Sequence, residues 1–354
     1  MVMKQYNAIL ILLLTGLIII SLLMVACMAE EYSVFWSIHL TEKEIDSSLD
    51  NELTIESMTN DGDYYYIATG GSMWKKSVTA PTEEAWEKVS LPQKGAICTG
   101  MTLFSGDLYA GFIFNNGTTG LYKTATDPIN WGIVNNSDMQ IQKLMVVNGE
   151  LFISLMYSSG DSYKFGLYYL NGTDYQPTSI IDKYLPVKNI ILVGTTYWVI
   201  SGNKVFSGTD PGSLEEVTTD PLYDESDNKY EGIHYSAGSI YYLSANNGKI
   251  YRSSDTINWD SSDVKKVTNK TVKFTEFAEV NGNILVGTTA FGFYQMPGGT
   301  LESLERIDLL SSELDRSHVM RFHVDGDKVF FCTATDGLYS NSYNGEWLGS
   351  WIHE

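Results

Sequence analysis

Seven glycines, Gly62, Gly106, Gly149, Gly194, Gly238, Gly282 and Gly326, follow one another at intervals of 44, 43, 45, 44, 44 and 44 residues. A period in the forties is the mark of a stacked or circular array, in which each unit buries its apolar faces against its neighbours. A hydrophobic content of 44% with 23 tyrosines suits pleated, half-buried strands, and long runs of good helix formers are missing.

Each marker glycine sits in a turn dipeptide: Asp61-Gly62, Ser105-Gly106, Asn148-Gly149, Ala237-Gly238, Asn281-Gly282 and Asp325-Gly326, with Val193-Gly194 the poorest match. Asn-Gly and Asp-Gly supply the positive φ angles of two-residue hairpins, so the flanking apolar runs read as two antiparallel strands. A third strand follows with an aromatic at Trp74, Tyr122, Tyr168, Phe206, Tyr251, Tyr294 and Tyr339. A fourth opens near Trp86, Trp131, Tyr175, Leu214, Trp259, Leu304 and Trp347. Seven units of four short antiparallel strands predict an all-β fold, a seven-bladed β-propeller of four-stranded antiparallel blades over residues 42–354. An open solenoid of the same units would expose two end sheets, and neither terminus reads as a polar cap. The segment 34–40, Val-Phe-Trp-Ser-Ile-His-Leu, has strand character and is a candidate latch on the outer edge of the last blade. The last unit, however, already owns 347–351 as an outer strand.

Residues 1–27 read as a targeting segment. Lys4 precedes the uncharged apolar stretch 8–26, which ends Leu23-Met24-Val25-Ala26-Cys27. That ending resembles a bacterial lipobox, and the resemblance implies cleavage before Cys27 and acylation of that residue. Several acyl chains make a firm anchor. An uncleaved span is the alternative for a 19-residue stretch. Either route puts residues 33–354 outside the cytoplasm, with 28–41 as tether. The acidic pair in Met28-Ala29-Glu30-Glu31 resembles the export signal of Bacteroidetes surface lipoproteins. It implies an outer-membrane lipoprotein at the cell surface, the periplasmic face being the alternative.

The formal charge is −20, one unit more negative once the leader and its lone Lys4 are removed. Nucleic acid is thereby a poor partner, since a polyanion is held mainly by Lys and Arg. The two remaining thiols, Cys98 and Cys332, lie in apolar strand contexts. They read as buried and free, although an oxidising compartment would permit a bridge.

Two units carry one phrase, Asp127-Pro128-Ile129-Asn130-Trp131 and Asp255-Thr256-Ile257-Asn258-Trp259, the second preceded by Ser253. The phrase resembles the Asp-box of sialidase-like propellers, Ser-x-Asp-x-Gly-x-x-Trp, lacking its Gly and with the Trp one residue early. In that family the Asp caps a turn and the Trp packs between blades, so Asp127, Trp131, Ser253, Asp255 and Trp259 are implied to be structural. Overall the chain resembles Bacteroidetes lipoproteins made of one propeller behind a lipobox.

Candidate chemistry is sparse. Retaining sialidases of this fold clamp a carboxylate with three arginines spread round the ring. Here the four arginines, Arg252, Arg306, Arg316 and Arg321, all fall in the last three units. The five histidines show no zinc-site spacing, and neither a nucleophile elbow nor a phosphate loop is present. Loops that exceed structural need, 157–165, 182–188, 220–232 and 310–320, mark the ligand face. The third contains Tyr223, Asp224, Glu225, Asp227 and Tyr230. Aromatics beside carboxylates stack on sugar rings and bond their hydroxyls, and clustered carboxyl oxygens also suit calcium; a solvated acidic loop is the plainer reading. Tyr184, Phe291 and His318 join this surface from neighbouring loops. The expectation is a non-catalytic, membrane-anchored, extracytoplasmic propeller that binds a glycan or a protein partner, with no cofactor. A glycoside hydrolase or lyase with acid and base on the face loops is the alternative, and a structural subunit of an outer-membrane complex the second.

Overall fold

A computed structural model describes residues 53–354 apart from 82–83, 127, 161, 220, 222–228, 245–247, 264–271 and 308–316. The expected latch segment 34–40 and the leader with Cys27 lie outside the described residues. Seven four-stranded antiparallel sheets follow in chain order, each built from consecutive strands. The seven innermost strands are Ser57–Asn60, Ile97–Phe104, Gln140–Val147, Val187–Val193, Tyr230–Ser236, Phe274–Val280 and Val319–Asp325, defining blades 1 to 7. All seven marker glycines have positive φ. At the blade 3 hairpin both loop residues do, Asn148 at +55° and Gly149 at +73°, as a two-residue turn matched to strand twist requires. A Cβ on Gly149 would meet nothing within 4 Å, so conformation, not space, selects glycine there.

The core is divided rather than central. Seven clusters of buried apolar side chains occur, and each joins the facing sheets of two adjacent blades. Six such clusters would suffice for an open row. The seventh closes the ring: Ile55, Tyr65, Ile67, Trp74 and Trp86 of blade 1 pack on Phe330, Cys332 and Leu338 of blade 7. The same joint is stitched by Ile55 N donating to Thr333 O at 3.2 Å and by the Tyr65 hydroxyl donating to Asp325 Oδ2 at 2.7 Å. The outer strand of blade 7 is Ile352–His353, paired with Tyr339 and Ser340, not the expected 347–351. Trp347 and Trp351 instead turn their rings onto Phe293 of blade 6, at 5.9 and 5.3 Å between centroids. Both indoles are half-buried against the core between blades 6 and 7, and Trp347 keeps only an isolated bridge to Tyr343.

The Asp-box-like phrase of blade 5 is a capped turn. Asp255 Oδ1 accepts the amides of Ile257 and Asn258 at 2.9 and 2.8 Å, and Ser253 Oγ accepts that of Thr256 at 2.8 Å. Those amides hold the Asp255 carboxyl well below the usual carboxylate range, the Asn258 amide most of all. The two tryptophans of the phrase reach the preceding blade. Trp259 Nε1 donates to Thr219 O at 2.9 Å and Trp131 Nε1 to Ser90 O at 2.8 Å. Asp127 lies outside the described residues. Cys98 and Cys332 are buried free thiols.

Candidate functional site

The innermost strands line the central channel, and six of the seven carry an extra residue near one end. Their pairing with the second strand shifts around Thr99, Gln142, Lys188, Glu231, Thr275 with Glu276, and Met320. A bulge at one height in blade after blade breaks inward–outward alternation and re-aims side chains toward the axis. Room for it comes from the strand behind. A Cβ on Gly111 would lie 2.8 Å from Thr99 Oγ1, and one on Gly287 2.5 Å from Thr275 Oγ1.

The bulged ends enclose a recess of about 220 Å³ lined by Gln142, Lys143, Pro186, Val187, Lys188, Asn189, Glu231, Gly232, Thr275, Glu276, Met320 and Arg321. Lys143 Nζ lies 3.2 Å from Glu276 Oε1. Blades 3 and 6 are nearly opposite in a ring of seven, so this ion pair crosses the channel within the recess lining. Glu276 Oε2 accepts the Phe322 amide at 3.2 Å, occupying its second oxygen. Lys188 Nζ and Glu231 Oε2 pair at 2.8 Å between blades 4 and 5. Burial draws the Lys143 ammonium below its ordinary pKa; Glu276 opposes this, while the like charges of Arg321 and Lys188 reinforce it.

A wall rises beside the recess. The second and third strands of blade 3, Glu150–Ser159 and Ser162–Asn171, are ten residues each, the longest in the described ring. Their tip is braced against the loop leading to blade 4: the Tyr157 hydroxyl donates to Asp182 Oδ1 and accepts the Asp182 amide, both at 2.9 Å. Phe165 and Lys183 exchange backbone bonds. Two loops expected to be long are thus one rigid ledge. It presents Tyr163 at 65%, Tyr184 at 75% and Ile181 at 39% exposure, with Lys164 Nζ over the Tyr184 ring.

The residues expected on the ligand face have mixed positions. Tyr184 is on the ledge. Tyr230 is not on the surface: it opens the inner strand of blade 5 and is fully buried, its ring 5.0 Å from that of Tyr242. Phe291 is half-buried against the core between blades 5 and 6. His318 is half-buried at the entrance to blade 7, and burial lowers its pKa. Tyr223, Asp224, Glu225 and Asp227 lie outside the described residues. Sequence reasoning missed Lys143, Lys188, Glu231, Glu276 and Arg321. Their signal was there: charged residues at the repeat interval on the strands before five of the seven marker turns. Among the described residues, no three of His, Cys, Asp and Glu gather closely enough to hold a metal ion.

No family model matches the chain, and no curated protein matches it. Solved structures do. "YCF48 bound to D1 peptide" superposes with TM-score 0.60 at 12% identity, covering 84% of this chain and 96% of that one. The WD40 β-propeller domain of Doa1 gives TM-score 0.58 at 9% identity over 85% and 96%. An extracellular domain from B. thetaiotaomicron, described as part of a one component system, gives 0.56 at 10% identity over 85% of this chain and 40% of that one. Identities this low show a shared fold.

Proposed function

We propose that this protein is a binding propeller that docks a polypeptide on the bulged end of the ring, between the charged recess and the ledge of blade 3. The observation that carries the reading is the state of the recess acids. Glu231 and Glu276 are each engaged by a lysine, and the second oxygen of Glu276 is taken by a backbone amide. A hydrolase of glycosidic bonds needs two carboxyl groups facing one another across a substrate-sized gap. The recess instead offers fixed charges of both signs beside exposed tyrosines, the composition of a recognition surface. That a solved propeller of this shape was captured with a peptide is consistent with such use.

We also place the protein on a membrane through Cys27, facing out of the cytoplasm; the leader pattern supports this. The test uses the full chain in cells of its source, with a photo-crosslinking amino acid in place of Tyr184. A crosslinked polypeptide whose yield falls on Tyr163→Ala is the expected result. Glycan as the only captured species would replace the polypeptide by a sugar, and turnover of a glycan panel abolished by Glu276→Gln would replace binding by catalysis. Loss of membrane fractionation on Cys27→Ala tests the anchor separately.

A further inference from the structure

The three cations of the recess are not equivalent. Lys143 and Lys188 each have a carboxylate, whereas Arg321 makes no ion pair and no side-chain hydrogen bond among the described residues. It borders the extra residue Met320 on the inner strand of blade 7 and lines the recess. The two recess carboxylates bond elsewhere: Glu276 to Lys143 and to the Phe322 amide, and Glu231 to Lys188. Glu56, at the edge of blade 1, and Arg321 act on the buried Cys98 thiol in opposite directions, and among the described residues the two make no ion pair. Among the described residues the recess lining holds three cations and two carboxylates, a surplus of one positive charge in a chain of formal charge −20.

We propose that Arg321 receives one carboxylate of the docked polypeptide, either its C-terminal group or an Asp or Glu side chain. This rests on the docking reading above. The guanidinium presents its N–H donors in a planar fork that a carboxylate meets with two parallel bonds. A single uncompensated charge, partly withdrawn from water, matches a monoanion; a phosphate dianion would bring one charge too many. Lys143 and Glu276 occupy one another, so the carboxylate is received at Arg321 and the rest of the ligand runs out over the ledge.

The experiment follows arginine Nε–Hε signals by NMR in the full chain in detergent, where four arginines give a sparse spectrum. Three probes are titrated at fixed ionic strength: N-acetyl-triglycine, its C-terminal amide, and N-acetyl-Gly-Asp-Gly amide. The signal missing in Arg321→Gln should shift saturably with a carboxylate probe and respond about tenfold more weakly, or not at all, to the triglycine amide. Response to the first probe alone assigns a C-terminal carboxylate, and response to the third as well admits a side chain. Equal response to the amide, or no saturation with either carboxylate, overturns the proposal. Arg321→Lys, which keeps the charge and loses the fork, should fold as the parent and bind the carboxylate probes more weakly; unchanged affinity would also overturn it. A polypeptide captured equally well by Arg321→Gln leaves docking standing and removes the carboxylate assignment. Saturable carboxylate binding without any captured polypeptide does the reverse.

Discussion

Lys76 Nζ lies 2.9 Å from Glu354 Oε2, joining the third strand of blade 1 to the outer edge of blade 7. Both side chains are almost fully enclosed, at 4% and 1% exposure. The other oxygen of Glu354 accepts Lys328 Nζ at 3.0 Å and Ser340 Oγ at 2.6 Å. One carboxylate therefore gathers ammonium groups from the two blades that meet where the ring closes.

Removing that carboxylate from a buried ammonium should be expensive. Glu354→Gln is expected to lower stability by about 3–5 kcal/mol, the range for breaking one side of a buried ion pair. Urea unfolding followed by tryptophan fluorescence measures it, and a midpoint unchanged from the parent would show that the apolar joint closes the ring alone.

The same contact sets an acid limb. Burial pushes the Glu354 carboxyl upward, but Ser340, Lys76 and Lys328 outweigh it and hold it below its ordinary 4.5. A carboxyl whose pKa is depressed by folding contributes stability that is complete above the unfolded value and is lost as pH falls through the folded one. The thermal midpoint should drop on acidification below about pH 4.5, and Glu354→Gln should flatten that limb; parallel curves for the two proteins would disprove the assignment.

The indoles of the repeated phrase act as stitches between blades. Trp131→Phe and Trp259→Phe each remove a donor from a carbonyl of the preceding blade. Each should cost about 1 kcal/mol in chemical denaturation, and the double variant should be additive because the sites are in separate joints.

At the blade 3 hairpin, Gly149→Ala meets no neighbour yet must adopt φ near +73°. A loss of about 1 kcal/mol is expected from conformation alone. Gly149→Asn should lose less, since Asn tolerates that region.

Burial pushes both the Cys98 and Cys332 thiols up to about 12, so neither offers a thiolate near neutrality. Peptide mapping after iodoacetamide treatment should find both unmodified in the native protein and both modified in denaturant. Modification of Cys332 under native conditions would mean that the joint of blades 7 and 1 opens.

Much of the ring was legible because the information is local and repeated. Asn148-Gly149 fixes a turn by its own backbone preference, and Tyr122 or Tyr294 recurs on a third strand because each blade packs that position, wholly or partly buried, against a core between blades. Tyr230 shows where that reasoning ends. It follows an acidic loop in sequence, yet the strand begins at Tyr230 itself, and the pleat turns its ring into the core beside Tyr242. The recess was harder still, because a bulge flips every side chain beyond it and carries no residue signature of its own.

The amino-acid sequence by itself determined the number of blades, the position of their turns and the order of their strands, since each depends on contacts within some forty residues. Only the tertiary structure decided which charged groups meet across the channel, leaving Arg321 without a partner among the described residues, and which residues fasten the ends. Lys143 finds Glu276 across 133 positions and Lys76 finds Glu354 across 278. Pairings at that range are set by ring curvature and by the bulges, which no local pattern encodes.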